Sequence, residues 1–302
     1  MKVLCYGSLN IDYVYRVDHF VRKGETLASD DLSVYPGGKG LNQSVALARA
    51  GASVMHAGAI GTDGQFLLDV LHESGVDTSM VRVLTEVRTG NAIIQNDRTG
   101  DNCILLYGGA NRAITEEMVK ETLDAFSAGD WIVLQNEISG ISFMIREAHR
   151  KGMKIVFNPS PIDASVADLP LPLVDVLLVN EIEAEAMIRA VTGSDEEIAD
   201  MDVLADRLKA AFPKAVTILT LGEKGSVYIS HEKTFTQSIY PVKAVDTTAA
   251  GDTFTGYFIA GIIAGKSPEE SMDAASRASA IAVTRKGASP SIPTAEEVLQ
   301  FT

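Results

Sequence analysis

Residues 245–256 read VDTTAAGDTFTG, and the chain continues through Tyr257, Phe258, Ile259 and Ile262: a turn of small residues running straight into an apolar helix. Ala249, Ala250 and Gly251 carry no bulk, so the backbone there can approach a ligand closely. The first amides of a helix have no partner within it, and the helix dipole favours negative charge at that end. Such a set of N–H groups is an anion cradle. Asp252 stands in the first turn beside it, where an acid repels an anion. A carboxylate that takes a proton from a hydroxyl while the cradle stabilises a transferred phosphoryl group would account for its presence. An aspartate that only complements the helix dipole is the second reading these residues leave open.

Working outward, this helix (250–264) is followed by helices over 269–285 and 294–300. Before it, from Thr115 onward, the rhythm is regular. Helix 116–127 precedes strand 131–135, helix 141–151 precedes strand 154–157, and strand 175–179 precedes helix 181–191. Helix 202–212 then leads to strand 215–221 and a small β section over 226–242. Val3 to Tyr6 and Ser53 to Ile60 read as further strands. The helix after Gly40 stops at Gly51, and Phe66 to Glu73 is a helix closed by Gly75. Alternating strands and helices predict an α/β fold with a mostly parallel sheet covered on both faces. Segments near 11–18, 31–36 and 91–107, the last a hairpin around DRTGD, interrupt the alternation. They are expected outside the main sheet, as a small β lid over its ligand edge. No linker or internal repeat divides residues 1–302, so a single α/β domain is expected.

The net charge of −14 makes a nucleic-acid backbone or an anionic membrane surface an unlikely partner, though not an anionic small molecule. Cys5 and Cys103 form no metal or redox spacing, and Cys5 lies in an apolar run that reads as a buried free thiol. The five histidines show no ligand spacing and fit surface or core roles. The apolar part of MKVLCYGSLNID is too short for a signal segment, and no run approaches the roughly 20 apolar residues of a membrane helix. A soluble, cytoplasmic protein is expected.

GGKG at 37–40 lacks the spacing of a Walker A loop, and GSLN at 7–10 lacks that of a dinucleotide fingerprint. GGKG does offer a close approach, a cation in Lys39 and an amide in Asn42. With Asn10 and Asp12 just past the first strand, these types suit a polyhydroxy ligand, whose hydroxyls want donors and acceptors together. Asn10 and Asp12 are also turn formers. Asn180 and Glu183 of NEIEAE follow a strand and could hold the water shell of a magnesium ion, or could simply form a capping box. In TLGEKG (220–225), Gly222 and Gly225 would let a base or phosphate approach the backbone. The carbonyls of RKGASPS (285–291) could ligate a cation.

Taken together, GGKGLNQSVALARAGA at 37–52 and DTTAAGDTFTGYFIAG at 246–261 resemble the two signatures of the ribokinase-like (PfkB) carbohydrate kinases. GSLNID, GETL, NPSP, NEIEAE, TLGEKG and VTRKGASPSIP agree, in order from residue 7 to 293. The resemblance implies a three-layer α/β/α fold and an ATP-dependent kinase acting on the primary hydroxyl of a sugar, first of all ribose to ribose 5-phosphate. It implies Asp252 as the base, with the amides of Ala250, Gly251 and Asp252 as the anion hole. Asn10, Asp12, Gly38, Lys39, Asn42 and Glu137 match sugar-binding positions, under an apolar lid near Ala92 and Ile94. Thr220, Gly222 and Gly225 match the nucleotide side, with Asn180 and Glu183 tied to phosphate and, through water, to Mg2+. Asp246 and the carbonyls of Thr248, Ala282, Gly287 and Ser291 resemble a K+ site. A homodimer through the lids is also implied. Tyr13 and Tyr15 are bulky for a lid strand, Asn91 and Gln95 put polar groups into the lid hairpin, and Asn136 precedes Glu137; these departures bear on which sugar is used. Deoxyribose, a fructose derivative or a nucleoside are alternative acceptors. A polar lid disfavours a nucleoside, and a silent sugar-binding regulator would be expected to have lost Asp252 or Gly251.

Overall fold

Short apolar runs become the strands of the main sheet because, buried on both faces, they have no water-facing side to make polar. A computed structural model describes residues 1–193, 198 and 200–301. Strand β1 (Val3–Tyr6) is followed by β2 (Asn10–Arg16), β3 (Asp31–Gly37), α1 (Lys39–Arg49), β4 (Val54–Gly61) and α2 (Gln65–Glu73). Then come β5 (Asp77–Leu84), β6 (Gly90–Asn96), β7 (Asn102–Tyr107), α3 (Glu116–Leu123), β8 (Trp131–Gln135) and α4 (Ile141–Lys151). The chain continues through β9 (Lys154–Asn158), β10 (Val176–Asn180), α5 (Glu181–Thr192), α6 (Met201–Ala211) and β11 (Val216–Thr220). It ends with β12 (Ser226–Ile229), β13 (Thr234–Gln237), α7 (Ala250–Ile263), α8 (Pro268–Val283) and α9 (Ala295–Gln300).

The main sheet runs β13-β12-β11-β10-β9-β8-β1-β4-β5, with only β12 and β13 antiparallel to their neighbours. Alternate residues of one strand enter opposite layers. Leu4, Tyr6, Ile132 and Leu134 pack with α3 to α6, while Val3, Cys5 and Val133 pack with α1, α2 and α7 to α9. The result is the expected three-layer α/β/α arrangement. One strand was not foreseen: β5 pairs parallel to β4 at the sheet edge. Half exposed, with only Thr78 fully buried, it lacks the apolar run that marks the inner strands.

β2, β3, β6 and β7 form a separate four-stranded sheet in the order β3-β2-β6-β7. β2 pairs parallel with β6, and the β6–β7 hairpin is antiparallel. This small sheet springs from the carboxyl edge of the main one, where β1 ends and residues 7–9 lead into β2.

Along that edge β8, β9, β10 and β11 each finish on a polar residue: Gln135, Asn158, Asn180 and Thr220. Gln135 lies in register with Asn158, and Asn180 with Thr220. Crevices outside the carboxyl ends of parallel strands are where ligands of such sheets collect. The second determinant of the site is the contact between α1 and α7. α7 is buried almost all round. A Cβ at Gly256 would lie 2.3 Å from Ala46 Cβ, so glycine sets how closely the helices approach. Among the described residues no helix is long and apolar enough to cross a membrane.

Candidate active site

The turn before α7 is held by Val283, whose carbonyl accepts from the Val245 and Asp246 amides at 2.7 and 3.1 Å. Asp246 Oδ1 accepts from Thr248 N and Oγ1 (2.9 and 2.6 Å), and Oδ2 from Gly287 N (2.9 Å). Burial raises this carboxyl, but those donors outweigh it and leave its pKa below the ordinary value. Ala249 then takes φ 60, ψ 12, the single positive-φ position outside glycine among the described residues. That left-handed conformation costs an alanine about 1–2 kcal/mol, and strain of this kind gathers at functional sites.

Of the three amides expected to form an anion hole, Ala250 N is already directed at Thr247 O (3.2 Å). The tight turn closes on itself there, and this narrows the expectation to two groups. The amides of Gly251 and Asp252 have no backbone acceptor among the described residues. A methyl group on Gly251 would meet no atom of another part of the protein within 4 Å, so this residue faces open space.

Asp252 is 7% exposed. Its Oδ2 accepts from Asn42 Nδ2 at 3.0 Å and its Oδ1 from Gln43 Nε2 at 2.9 Å. Asn42 therefore contacts the acid as well as lining the cavity in which a sugar was expected. Burial alone would lower the pKa of the nearby Lys39 ammonium; the charges of Asp252, Glu137 and Glu183 oppose it, and the balance lies above the ordinary lysine value.

Two cavities meet at this helix start, with Ala244 and Thr247 lining both. The larger, about 780 Å³, brings together Asn10, Asp12, Gly38, Lys39, Asn42, Glu137 and Asp252, all the expected sugar-side residues. Asn111, which the sequence reading missed, fixes the first of them: its Nδ2 donates to Asn10 Oδ1 at 2.7 Å while its Oδ1 accepts from Leu9 N at 3.1 Å. Glu137 Oε2 accepts from Lys39 N at 2.9 Å and from Ser8 Oγ. Burial, and then the Glu137 charge, push the Asp12 carboxyl up to about 7.

The small sheet roofs this cavity with Val14, Ala92, Ile94, Ile104 and Leu106, and with Tyr35, Asn96 and Asn102 as its polar members. Asn91 and Gln95, expected to make the roof polar, do not reach it. They alternate with Ala92 and Ile94 along β6 and so stand on the other face. Asn91 Nδ2 donates to Thr89 O and Gln95 Oε1 accepts from Val21 N. Tyr13 and Tyr15 alternate with Asp12 and Val14 in the same way, and Asn136 Nδ2 donates to Pro161 O at 2.8 Å. None of these four or of Asn136 lines the cavity, so their departures from the family pattern say nothing against ribose, and Asn91 and Gln95 no longer argue against a nucleoside.

The smaller cavity, about 320 Å³, is lined by Thr220, Gly222, Gly225, Ala250 and Gly251, with Ile239, Tyr240 and Val242 as apolar walls. Gly222 and Gly225 have φ +54 and +94, and a Cβ at Gly225 would lie 2.3 Å from Gln237 O. Asn180 and Glu183 line neither cavity. They form the capping box of α5: Asn180 Oδ1 accepts from Glu183 N (2.9 Å) and Glu183 Oε2 from Asn180 N (3.0 Å). Asp246, Thr248 and Gly287 do line the larger cavity, whereas Ala282 and Ser291 do not. The Ala282 carbonyl already accepts from Arg285 N at 3.0 Å.

Gln43 and Gln135 also belong to the site and were not anticipated. For Gln43 a signal was present: Asn42, Gln43 and Ser44 are three consecutive polar residues, all buried, between the terminal Lys39 and Arg49 of α1. His56 has the core role expected, its Nδ1 2.7 Å from Ser44 Oγ and its pKa pushed down to about 3 by burial.

A two-cavity cleft at the carboxyl edge of a parallel sheet, with an acid and bare amides between the cavities, defines a group-transfer site. The profile of the pfkB family of carbohydrate kinases matches residues 1–295, and the chain belongs to that family. Within it, the ribokinase of Haemophilus influenzae is 36% identical over 302 residues, covering 98% of this chain and 96% of the relative. Among solved structures, ribokinase from Cryptococcus neoformans var. grubii serotype A in complex with ADP is 33% identical, with a TM-score of 0.86 and 99% of each chain covered. Arabidopsis thaliana ribokinase complexed with ribose and ATP is 29% identical, with a TM-score of 0.86, covering 99% of this chain and 98% of that one.

Proposed function

We propose that the chain transfers the γ-phosphoryl group of ATP to the primary hydroxyl of ribose, giving ribose 5-phosphate. The observation that carries this is the position of Asp252 and the Gly251 and Asp252 amides, between a polar cavity and a glycine-lined one. In this reading the sugar lies in the larger cavity. Asp12 and Glu137 accept from its hydroxyls, and Lys39, Asn10 and Asn42 complete the polar wall. ATP lies along Thr220, Gly222 and Gly225, with the adenine against the apolar wall.

Asp252 takes the proton of the acceptor hydroxyl as the oxygen–phosphorus bond forms. The transition state of such transfers is loose, with charge on the equatorial oxygens, so positioning and electrostatics supply most of the rate. The two bare amides and the Lys39 ammonium face that charge. Magnesium, when bound, neutralises phosphate charge. Glu183 and Asn180 would serve it through water, because they line neither cavity and their cap bonds engage the single side-chain oxygen of Asn180 and Oε2 of Glu183, leaving Glu183 Oε1. For a potassium ion, Asp246 and the Thr248 and Gly287 carbonyls offer hard oxygen donors on two loops that the Asp246–Gly287 bond already ties together. Ala282 and Ser291 do not line that cavity, so the set supported is the smaller one.

A homodimer through the outer face of the small sheet fits the side chains left there. Val34, Ile93, Leu105 and Tyr107 share that face and are 49, 38, 68 and 53% exposed. Leu105→Asp should then give a monomer in sedimentation.

The functional test is coupled ADP release across sugars and nucleosides, with and without potassium. Ribose should give the highest kcat/KM, and another acceptor exceeding it would overturn the substrate. Asp252→Asn should lose about 10²–10⁴-fold in kcat, the usual worth of a general base, while ribose binding by calorimetry persists. Turnover near wild type in that variant would remove Asp252 from the chemistry.

A further inference from the structure

Gln43 is wholly buried and lines neither cavity, so it can act on the chemistry only through what it touches. One N–H of its amide goes to Asp252 Oδ1 at 2.9 Å and the other to Asn158 Oδ1 at 3.3 Å. Its Oε1 accepts from Gln135 Nε2 at 2.7 Å. These bonds give the amide one polarity. A flipped Gln43 would set its oxygen against a carboxylate and its NH2 against the NH2 of Gln135. Asn158 is held in turn, since its Nδ2 donates to Leu178 O at 2.9 Å.

Gln135 is the outer member of the chain. Its second contact is Cys5 Sγ at 3.6 Å, and its Oε1 is buried without a partner among the described residues. Leaving that acceptor unsatisfied is costly, and such an orphan in a folded protein calls for a reason. The fold also keeps room for it: a Cβ at Gly7 would lie 2.2 Å from Gln135 Oε1. Three elements, β8, α1 and α7, thus contribute one residue each to a directed line from Gln135 through Gln43 to Asp252. Asn42, the donor to the other carboxylate oxygen, borders the sugar cavity and has a second task.

We propose that Gln43, locked in one orientation by Gln135, is a positioning residue that aims the Asp252 carboxylate at the acceptor hydroxyl. The proposal rests on the reading of Asp252 as the base. A base must meet its proton at hydrogen-bond distance in a defined direction, and a displacement of the order of 1 Å can cost about 10²-fold.

The experiment is a double-mutant cycle with Gln43→Leu and Gln135→Leu in the full chain, read by kcat, ribose affinity and ATP KM. Gln43→Met serves in place of Gln43→Leu should the latter fail to fold. Gln43→Leu should lower kcat about 10²-fold, with ribose affinity and ATP KM each within threefold of wild type. Gln135→Leu should lower kcat less, and the double variant should be no slower than Gln43→Leu, because Gln135 acts through Gln43. Gln43→Leu should add nothing in an Asp252→Asn background. A merely structural role would move ribose affinity and kcat together, or lower Tm with kcat intact, and either result overturns the proposal. Full activity in Asp252→Asn would instead sink the base assignment. An inactive Asp252→Asn beside a fully active Gln43→Leu would sink the positioning role alone.

Discussion

Gly251→Ala exchanges one hydrogen for a methyl group at the point where the two cavities meet, and it separates folding from chemistry. The new carbon would stand about 1.5 Å from Cα. Beyond its own residue, its chain neighbours and the backbone of its own helix, nothing lies within 4 Å of it, and Gly251 is a helical residue without positive φ. Alanine at a compatible position stabilises by about 0.4–1 kcal/mol, chiefly by restricting the unfolded chain. For a chain of this size that raises Tm by about 1–4 °C.

The space the methyl enters is that beside the two bare amides. A phosphoryl oxygen accepting from them would sit about 2.9 Å from nitrogen, whereas carbon needs about 3.5–4.0 Å to its neighbours. The transferred group must therefore shift by the order of 1 Å, which costs about 10²-fold in kcat, or about 2.7 kcal/mol of barrier. Coupled ADP release at saturating ribose and ATP reads the first quantity and a thermal melt the second. A variant that melts higher and turns over within threefold of wild type would refute the idea that phosphoryl charge passes this point. A melting point several degrees lower would refute the claim of open space.

Asp12 gives a pH dependence with a defined sign. Its carboxyl is pushed up to about 7, so in the free protein it is neutral below that pH and ionised above it. If the carboxylate accepts sugar hydroxyls, KM for ribose should fall as pH rises from about 6 to 8, steepest near 7, and Asp12→Asn should flatten the profile. The same shift contributes stability that is present in full below 3.8 and is lost as pH rises through about 7, so the Tm advantage of Asp12→Asn should appear only at high pH. Gly256→Ala, with its Cβ 2.3 Å from Ala46 Cβ, must push α1 and α7 apart. Overpacking of that kind costs about 1–3 kcal/mol, so Tm should drop by several degrees, and kcat should drop too because α1 carries both donors to Asp252.

What the sequence by itself determined was whatever local rules write locally. The apolar runs at 131–135 and 175–179, the capping pair Asn180 and Glu183, and the small residues before Asp252 each state their own conformation, and the two glycine-bearing signatures state the family. Edge strand β5 escaped because an edge needs no apolar run, and the Ala250 amide was miscounted because its acceptor is created by the turn itself. Tertiary structure alone decided the rest. Asn42 and Gln43 meet an acid more than 200 positions away only because Gly256 lets two helices touch. Asn91 and Gln95 look like cavity-facing lid residues until the pleat of β6 turns them to the outer face. Gln135 joins the site through the register of the parallel strands. Contacts between distant segments are fixed by packing and burial summed over the whole chain, and no short stretch of residues carries that sum.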